Sequence, residues 1–347
     1  MPKEILIAGL VAAVLAAAAV AATPARKESR LVWPAAPDPP RIRFVGAFSS
    51  GKDFYAGRSF SLKRALEKML GTEEREPPMM FPYGVATDSR GRVIVADSKL
   101  EAVHVFDGAN HTSLLIRTLK GDRLLSPIGV ATDAADNIYV SDSLSGKIFV
   151  FDPRGKVKLV IGHPEGRYKR PTGIAIDQEA GLMYVADTLK NEIVMTDLEG
   201  HEIRRFGRAG IAAGEFNAPT QICLNRGRLY VTDFLNARIQ TFAADGTFLG
   251  TFGSLGRNPG ELDKPKGVAL DSDGHVYVVE GLHDVVQILD TRGNLLLAFG
   301  RTGARVGEFY LPTSIHIDRD DNIYVADSYN RRIQVFRYLK DASARRE

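Results

Sequence analysis

Cysteine is almost missing from this chain. Cys223 is the only one among 347 residues, so no internal disulfide can form and the fold must be held by its core. Charge of one sign is lacking too: 45 basic residues face 42 acidic ones, a formal net charge of +3. That balance gives no ground for nucleic acid as a partner on charge alone. There is no G-x-S-x-G element and no phosphate-binding glycine loop. His104, His111, His163, His201 and His275 are scattered without metal-ligand spacing. Neither a cofactor nor a metal is expected.

What the chain has in abundance is repetition. One phrase occurs six times, as PYGVATD (82–88), PIGVATD (127–133), PTGIAID (171–177), PTQICLN (219–225), PKGVALD (265–271) and PTSIHID (312–318). The opening prolines are 45, 44, 48, 46 and 47 residues apart, a period that signals a repeat architecture. A second phrase follows in each copy, such as VIVAD (93–97) and IYVAD (323–327), and then a third, such as VHVFD (103–107) and IQVFR (333–337). These runs are short and rich in Val, Ile, Tyr and Phe, which is strand chemistry. The turn residues Gly, Asp, Asn and Ser separate them. A fourth strand-like phrase closes most copies, as in NLLLAFG (294–300). The unit is therefore four antiparallel strands.

The sixth copy stops after its third strand, near Leu339. Its missing fourth strand stands at the other end of the chain, where IRFVGAF (42–48) matches the closing phrase and precedes copy one. Such a circular permutation makes a ring without an open edge between the termini. The expected fold is all-β, a six-bladed β-propeller over residues 40–340 closed by its N-terminal strand. An insertion at 49–78 contains Ser61 followed by LKRALEKML, which predicts a capped helix ending at Gly71. Residues 341–347 form a polar tail.

The loops FGRAGIAAGEFNAP (206–219), FGSLGRNPGELDKP (252–265) and FGRTGARVGEFYLP (299–312), with YVADSYNRRIQVF (324–336), closely resemble the NHL-repeat family of β-propellers. The resemblance covers about Pro40 to Leu339. It is specific in copies four to six and looser in copies one to three, which lack the G-E-F loop. It implies the fold, and within that fold nucleic-acid binders, sensor ectodomains and a few enzymes. The amidating-lyase relatives place zinc-binding histidines directly after the opening proline. Here those positions hold Tyr83, Ile128, Thr172, Thr220, Lys266 and Thr313. Lactonase-like propellers hold calcium with carboxylates and Asn in the channel, where this chain has mostly Gly, Ala, Val and Ile.

Most repeated residues read as architecture. Gly84, Gly129, Gly173 and Gly267 suit a crowded hub. Asp97, Asp142, Asp187, Asp233 and Asp327 end the second strands, where a carboxylate accepts backbone N–H groups. Departures from the repeat are better clues to function. Copy four has Gln221 and Cys223 where other copies have Gly and Ala, and copy six has Ser314 and His316 there. Cys223 is expected to be a small buried hydrophobe. Copy five has Glu280 in place of Asp, with His283 and Asp284 behind it. Tyr83 and Lys266 follow opening prolines and are expected at one channel mouth. The candidate ligand-binding residues are therefore Tyr83, Gln221, Lys266, Glu280, His283 and His316, with no catalytic set among them. The competing reading for the departures is local repacking.

Residues Ile5 to Ala22 form 18 uncharged residues after Lys3. Residues 1–22 are a signal peptide or a membrane anchor: Ala19-Val20-Ala21 fits a cleavage site, while the length fits a span. Residues 23–39, with WPAAPDPP at 33–40, form a proline-rich linker. The compartment implied is extracytoplasmic, periplasmic or secreted, with possible anchoring in an inner membrane through residues 5–22. The functional expectation is a binding or scaffold module that recognises an envelope protein or a small ligand at one propeller face. The alternative is a propeller lyase or hydrolase with a channel site around blades four to six.

Overall fold

The computed structural model describes residues 31–55, 76–117, 123–162 and 168–340. Six sheets follow one another, each a meander whose neighbours in sequence are hydrogen-bonded neighbours in space. Blade one is built from Pro82–Thr87, Val93–Asp97, Ala102–Asp107 and Thr112–Ile116. Blades two to five repeat this plan, beginning at Pro127–Thr132, Pro171–Asp177, Pro219–Asn225 and Pro265–Leu270. First strands touch first strands around the whole circle, including the last with the first. They form the hub, and the fourth strands form the rim.

Ring closure follows the permutation. Blade six is Ser314–Ile317, Asn322–Asp327 and Arg332–Tyr338, completed by Ile42–Phe48 paired antiparallel to its third strand. A fifth strand, Val32–Trp33, pairs with Ile42 and Arg43. The Trp33 ring lies 5.5 Å from Phe299 and 5.7 Å from Phe336, and so rests against side chains of blades five and six. The insertion at 49–78 begins with a short helix, Gly51–Tyr55. The helix expected after Ser61 lies outside the described residues, as do residues 5–22 and 341–347.

Burial grades outward from hub to rim. The second strand Val93–Asp97 is buried throughout, because both its faces meet neighbouring blades. The outer strand Leu295–Phe299 alternates half-buried with exposed residues. The core thus lies between blades, as where Ala86, Ile94 and Val103 pack on Val130, Ile138 and Phe149. At the hub the approach is closer still. A Cβ on Gly84 would sit 2.2 Å from the Ile128 carbonyl oxygen, and one on Gly129 would sit 2.0 Å from that of Thr172. Only glycine fits there.

The buried carboxylates hold each blade to its incoming loop. Asp97 accepts the N–H groups of Met80 at 2.6 Å, Phe81 at 3.0 Å and Leu100 at 3.0 Å. It therefore ties the loop before the first strand to the turn after the second. In blade six the same aspartate, Asp327, also binds Arg332 at 2.7 Å and Asn330 at 2.9 Å. Gln334 adds to the clamp: its amide donates to the Glu308 carbonyl at 2.6 Å and its carbonyl accepts the Gly307 N–H at 2.9 Å. Asn236, Arg238 and Gln240 do the same in blade four. The N-x-R-x-Q spacing is a loop clamp, and the G-E-F loop is what it holds.

Phe48 is 4% exposed and packs with Met79, Phe106 and Ile333, whereas Val45 on the same strand is 51% exposed. Phe48→Ala should cost about 3–5 kcal/mol in urea unfolding, against about 0.5 kcal/mol or less for Val45→Ala. Equal small effects would mean that the N-terminal strand does not carry the closure.

Candidate binding site at the channel mouth

In a four-stranded meander, the loops entering the first strands and the turns joining second to third strands lie on one edge. Hydrogen bonds between them make this visible: Thr188 N–H donates to the Arg170 carbonyl at 3.0 Å, and Tyr329 N–H to that of Tyr310 at 3.2 Å. The residues after the opening prolines therefore rim one mouth of the channel. They surround an open funnel lined by Tyr83, Thr172, Thr220, Gln221, Lys266 and Thr313, among others.

Most polar groups in the funnel are committed to the ring. Thr172 Oγ1 donates to the Thr220 carbonyl at 2.9 Å, Thr220 Oγ1 to that of Lys266 at 3.2 Å, and Thr313 Oγ1 to that of Tyr83 at 2.9 Å. Each staple joins one blade to the next. Gln221 reaches further. Its Nε2 donates to the Ile315 carbonyl of blade six at 3.1 Å, passing the bare Gly267 of blade five.

Two long polar side chains are left over. The Tyr83 hydroxyl and the Lys266 amine have no hydrogen-bond partner among the described residues, although both are half-buried. The Lys266 stem lies over Gly281, where an added Cβ would come within 2.8 Å of its Cδ and Cε. Blades one, two, three and six have Ser98, Ser143, Thr188 and Ser328 at that position, and blade four has Phe234. In blades three and six these hydroxyls meet the funnel threonines, Thr188 with Thr172 at 2.8 Å and Ser328 with Thr313 at 2.7 Å. Blade five has exchanged that pair for a lysine and a glycine. Burial pushes the Lys266 amine below the ordinary lysine range, against the opposing charges of Asp284 and Glu280. Burial pushes the Tyr83 phenol up, with the Arg170 charge opposing.

The other candidates lie elsewhere and do not line the funnel. Glu280 takes the place of the repeated aspartate and accepts the N–H groups of Asp263 at 2.7 Å and Lys264 at 2.8 Å. Burial raises its pKa. Blade five has Val285 where blades four and six have Arg238 and Arg332, and His283 where they have Asn236 and Asn330. The longer carboxylate thus appears together with loss of the clamp arginine. His283 Nε2 is 3.8 Å from Asp263. Asp284 accepts the Leu311 N–H of the next loop at 2.6 Å. His316 Nε2 lies 2.8 Å from Thr87 Oγ1 of blade one. Burial pushes the Cys223 thiol up to about 12, leaving it unreactive at neutral pH. The structure therefore gathers Tyr83, Gln221 and Lys266 and leaves Glu280, His283 and His316 in separate local contacts. Gly281 was not singled out from the sequence. Its signal was present as the one glycine in a column of mostly Ser and Thr.

Chemically, a desolvated amine and a phenol beside backbone groups suit an anionic or carbonyl-bearing group. Among the described residues, no group of three or more His, Cys, Asp or Glu side chains could hold a metal ion.

Comparison with known proteins agrees with the architecture. Residues 86–206 match a family profile described as a 6-bladed beta-propeller, and residues 309–336 match the NHL repeat. No curated protein matches the chain. Among solved structures, virginiamycin B lyase from Staphylococcus aureus is similar at 15% identity and a TM-score of 0.55, over 75% of this chain and 96% of that one. Hydrazine synthase of Kuenenia stuttgartiensis is similar at 14% identity and a TM-score of 0.55, over 78% and 99%. A gluconolactonase from Xanthomonas campestris is similar at 15% identity and a TM-score of 0.59, over 75% and 87%. Identities this low carry the fold and nothing of the activities.

One half-buried group gives a pH test. Burial pushes the His316 imidazole down to about 4, with Asp318 opposing. An unfolded histidine titrates at about 6.5, so between pH 6.5 and 4 the unfolded chain binds a proton that the folded chain refuses. Stability should fall as pH drops through that window, by about 3 kcal/mol at its lower end. His316→Ala, which installs the residue most other copies carry, should remove that share of the loss in urea unfolding. Parallel pH profiles for the two proteins would show that His316 is not held neutral.

Proposed function

Starting from a chain that is a six-bladed β-propeller with NHL repeats, we propose that it is a binding module whose channel mouth receives an anionic group of a small ligand or of a partner protein. The observation that carries this reading is the Lys266–Gly281 exchange. In blade five the hydroxyl pair of blades three and six is replaced, and an amine without a hydrogen-bond partner among the described residues is set into a funnel whose threonines and Gln221 are tied down. Tyr83 stands at the same rim, its hydroxyl without a hydrogen-bond partner among the described residues. The uncharged run from Ile5 to Ala22 supports a place outside the cytoplasm and association with a membrane.

The second reading is a propeller lyase or hydrolase. The lowered pKa of Lys266 favours it, since a neutral amine can accept a proton. The two carboxylates whose charges bear on Lys266 work against it, because Asp284 and Glu280 both accept loop N–H groups.

Thermal shift against a panel of small carboxylates, phosphates and sulfates tests the first reading. A ligand at a hundred times its dissociation constant adds about 2.7 kcal/mol to stability. At least one compound should raise the melting temperature of the wild type, and Lys266→Met should abolish that rise. Equal shifts in both proteins would contradict a site at the mouth. Consumption of the compound, lost in Lys266→Met, would favour the enzyme.

A further inference from the structure

The two faces of the propeller differ in chemistry. Five turns that join second to third strands carry an exposed apolar tip: Leu144 is 72% exposed, Leu189 and Leu282 50%, Leu235 48% and Tyr329 52%. Lys99 holds this position in blade one. The long entering loops add Ile211, Leu255 and Val306 on the same face. Fourteen large hydrophobic side chains are exposed among the described residues, and ten of them lie in these loops and turns. The other four, Val45, Ile203, Leu249 and Leu296, lie on fourth strands at the rim. None lies on the opposite face, whose turns are polar and expose Glu179, Glu199, Asp245 and Asp320.

Cations are exposed on both faces, as Arg154, Arg226 and Arg319 show on the opposite one, and on the mouth face they stand among the apolar tips, including Lys99, Lys169, Arg170, Arg257 and Arg305. The acids of the described loops on this face are buried or half-buried. Glu101, Glu215 and Glu308 are paired with Arg123, Arg208 and Arg301. The fully exposed charge of the described loops on this face is therefore positive.

We propose that the mouth face docks on an anionic phospholipid surface. A protein partner would be met by a contiguous apolar centre ringed by polar residues. Here the centre is a polar funnel, and the apolar groups are single tips distributed over the turns and loops of five blades. A bilayer accepts isolated Leu and Tyr tips wherever they fall. It also holds headgroup phosphates for each cation, at about 1 kcal/mol per Lys or Arg near the surface. Docking in this pose opens the funnel onto the headgroup layer, with Lys266 facing it. The inference rests on the surface and holds whether or not the funnel binds a ligand.

The test uses the full chain with a polarity-sensitive fluorophore on one introduced thiol. Cys223 is half-buried with its thiol pushed up to about 12, so labelling at neutral pH goes to the new site. Leu189→Cys and Leu282→Cys report on the mouth face, and Asp245→Cys on the opposite one. On vesicles of equal parts phosphatidylglycerol and phosphatidylcholine, the label should shift blue and brighten at 189 and 282 and stay unchanged at 245. Serine at Leu144 and Leu235 together should weaken the shift at 189, and pure phosphatidylcholine should give less of it. Because the readout is local, membrane binding through residues 5–22 alone would leave all three labels in water, which would overturn the proposal. So would equal shifts on neutral and anionic vesicles. A shift that appears without vesicles and grows with protein concentration would instead assign the face to a second copy of the chain.

Discussion

Crowding at the hub governs the rest of the molecule. Six first strands converge so closely that a Cβ on Gly129 would overlap the Thr172 carbonyl. With side chains excluded there, the residue directly after each opening proline becomes the place where a side chain can project over the channel. What stands at those six positions decides what the mouth can do. Three of them are threonines, and their hydroxyls close on the carbonyl of the next blade. Tyr83 and Lys266 are too long for that bond, and their polar ends find no hydrogen-bond partner among the described residues. The chemistry of the mouth is thus what remains after the hub has satisfied itself.

The buried carboxylates set the second constraint. Asp97 and its counterparts lie almost out of contact with water, which is costly for a charge unless it is fully hydrogen-bonded. Each is satisfied by N–H groups of the incoming loop, and in blades four and six also by arginine. Folding the loop and neutralising the charge are therefore one event. In blade five the arginine is lost, the carboxylate is one carbon longer, and burial raises its pKa. Glu280 looks like a functional departure in the sequence because a column of aspartates ends there. In three dimensions it performs the same task with other partners.

Much of this was legible in the chain. Repetition gave the blade, and the missing fourth strand of copy six together with IRFVGAF at 42–48 gave the ring. The pairing of Val32–Trp33 was not legible, since two residues in a proline-rich stretch carry no periodic signal. The candidate residues divided for a physical reason. Gln221 stands third in its repeat phrase, near the mouth, and reaches over Gly267, while His316 stands fifth, farther along, where it meets Thr87 of blade one. A list of departures contains no such placement. Gly281 escaped notice because its meaning depends on a lysine fifteen positions earlier.

The most direct test of the account is competitive acylation of the lysines across a pH series, read residue by residue by mass spectrometry. It measures the exposure and the pKa of the Lys266 amine at once. The account predicts that Lys266 is modified, with a midpoint below that of surface lysines such as Lys99 and Lys190, and that Gly281→Ser moves the midpoint toward theirs. If Lys266 resists modification, or titrates with the surface lysines in the wild type, then the mouth does not hold a free, desolvated amine and the central claim fails.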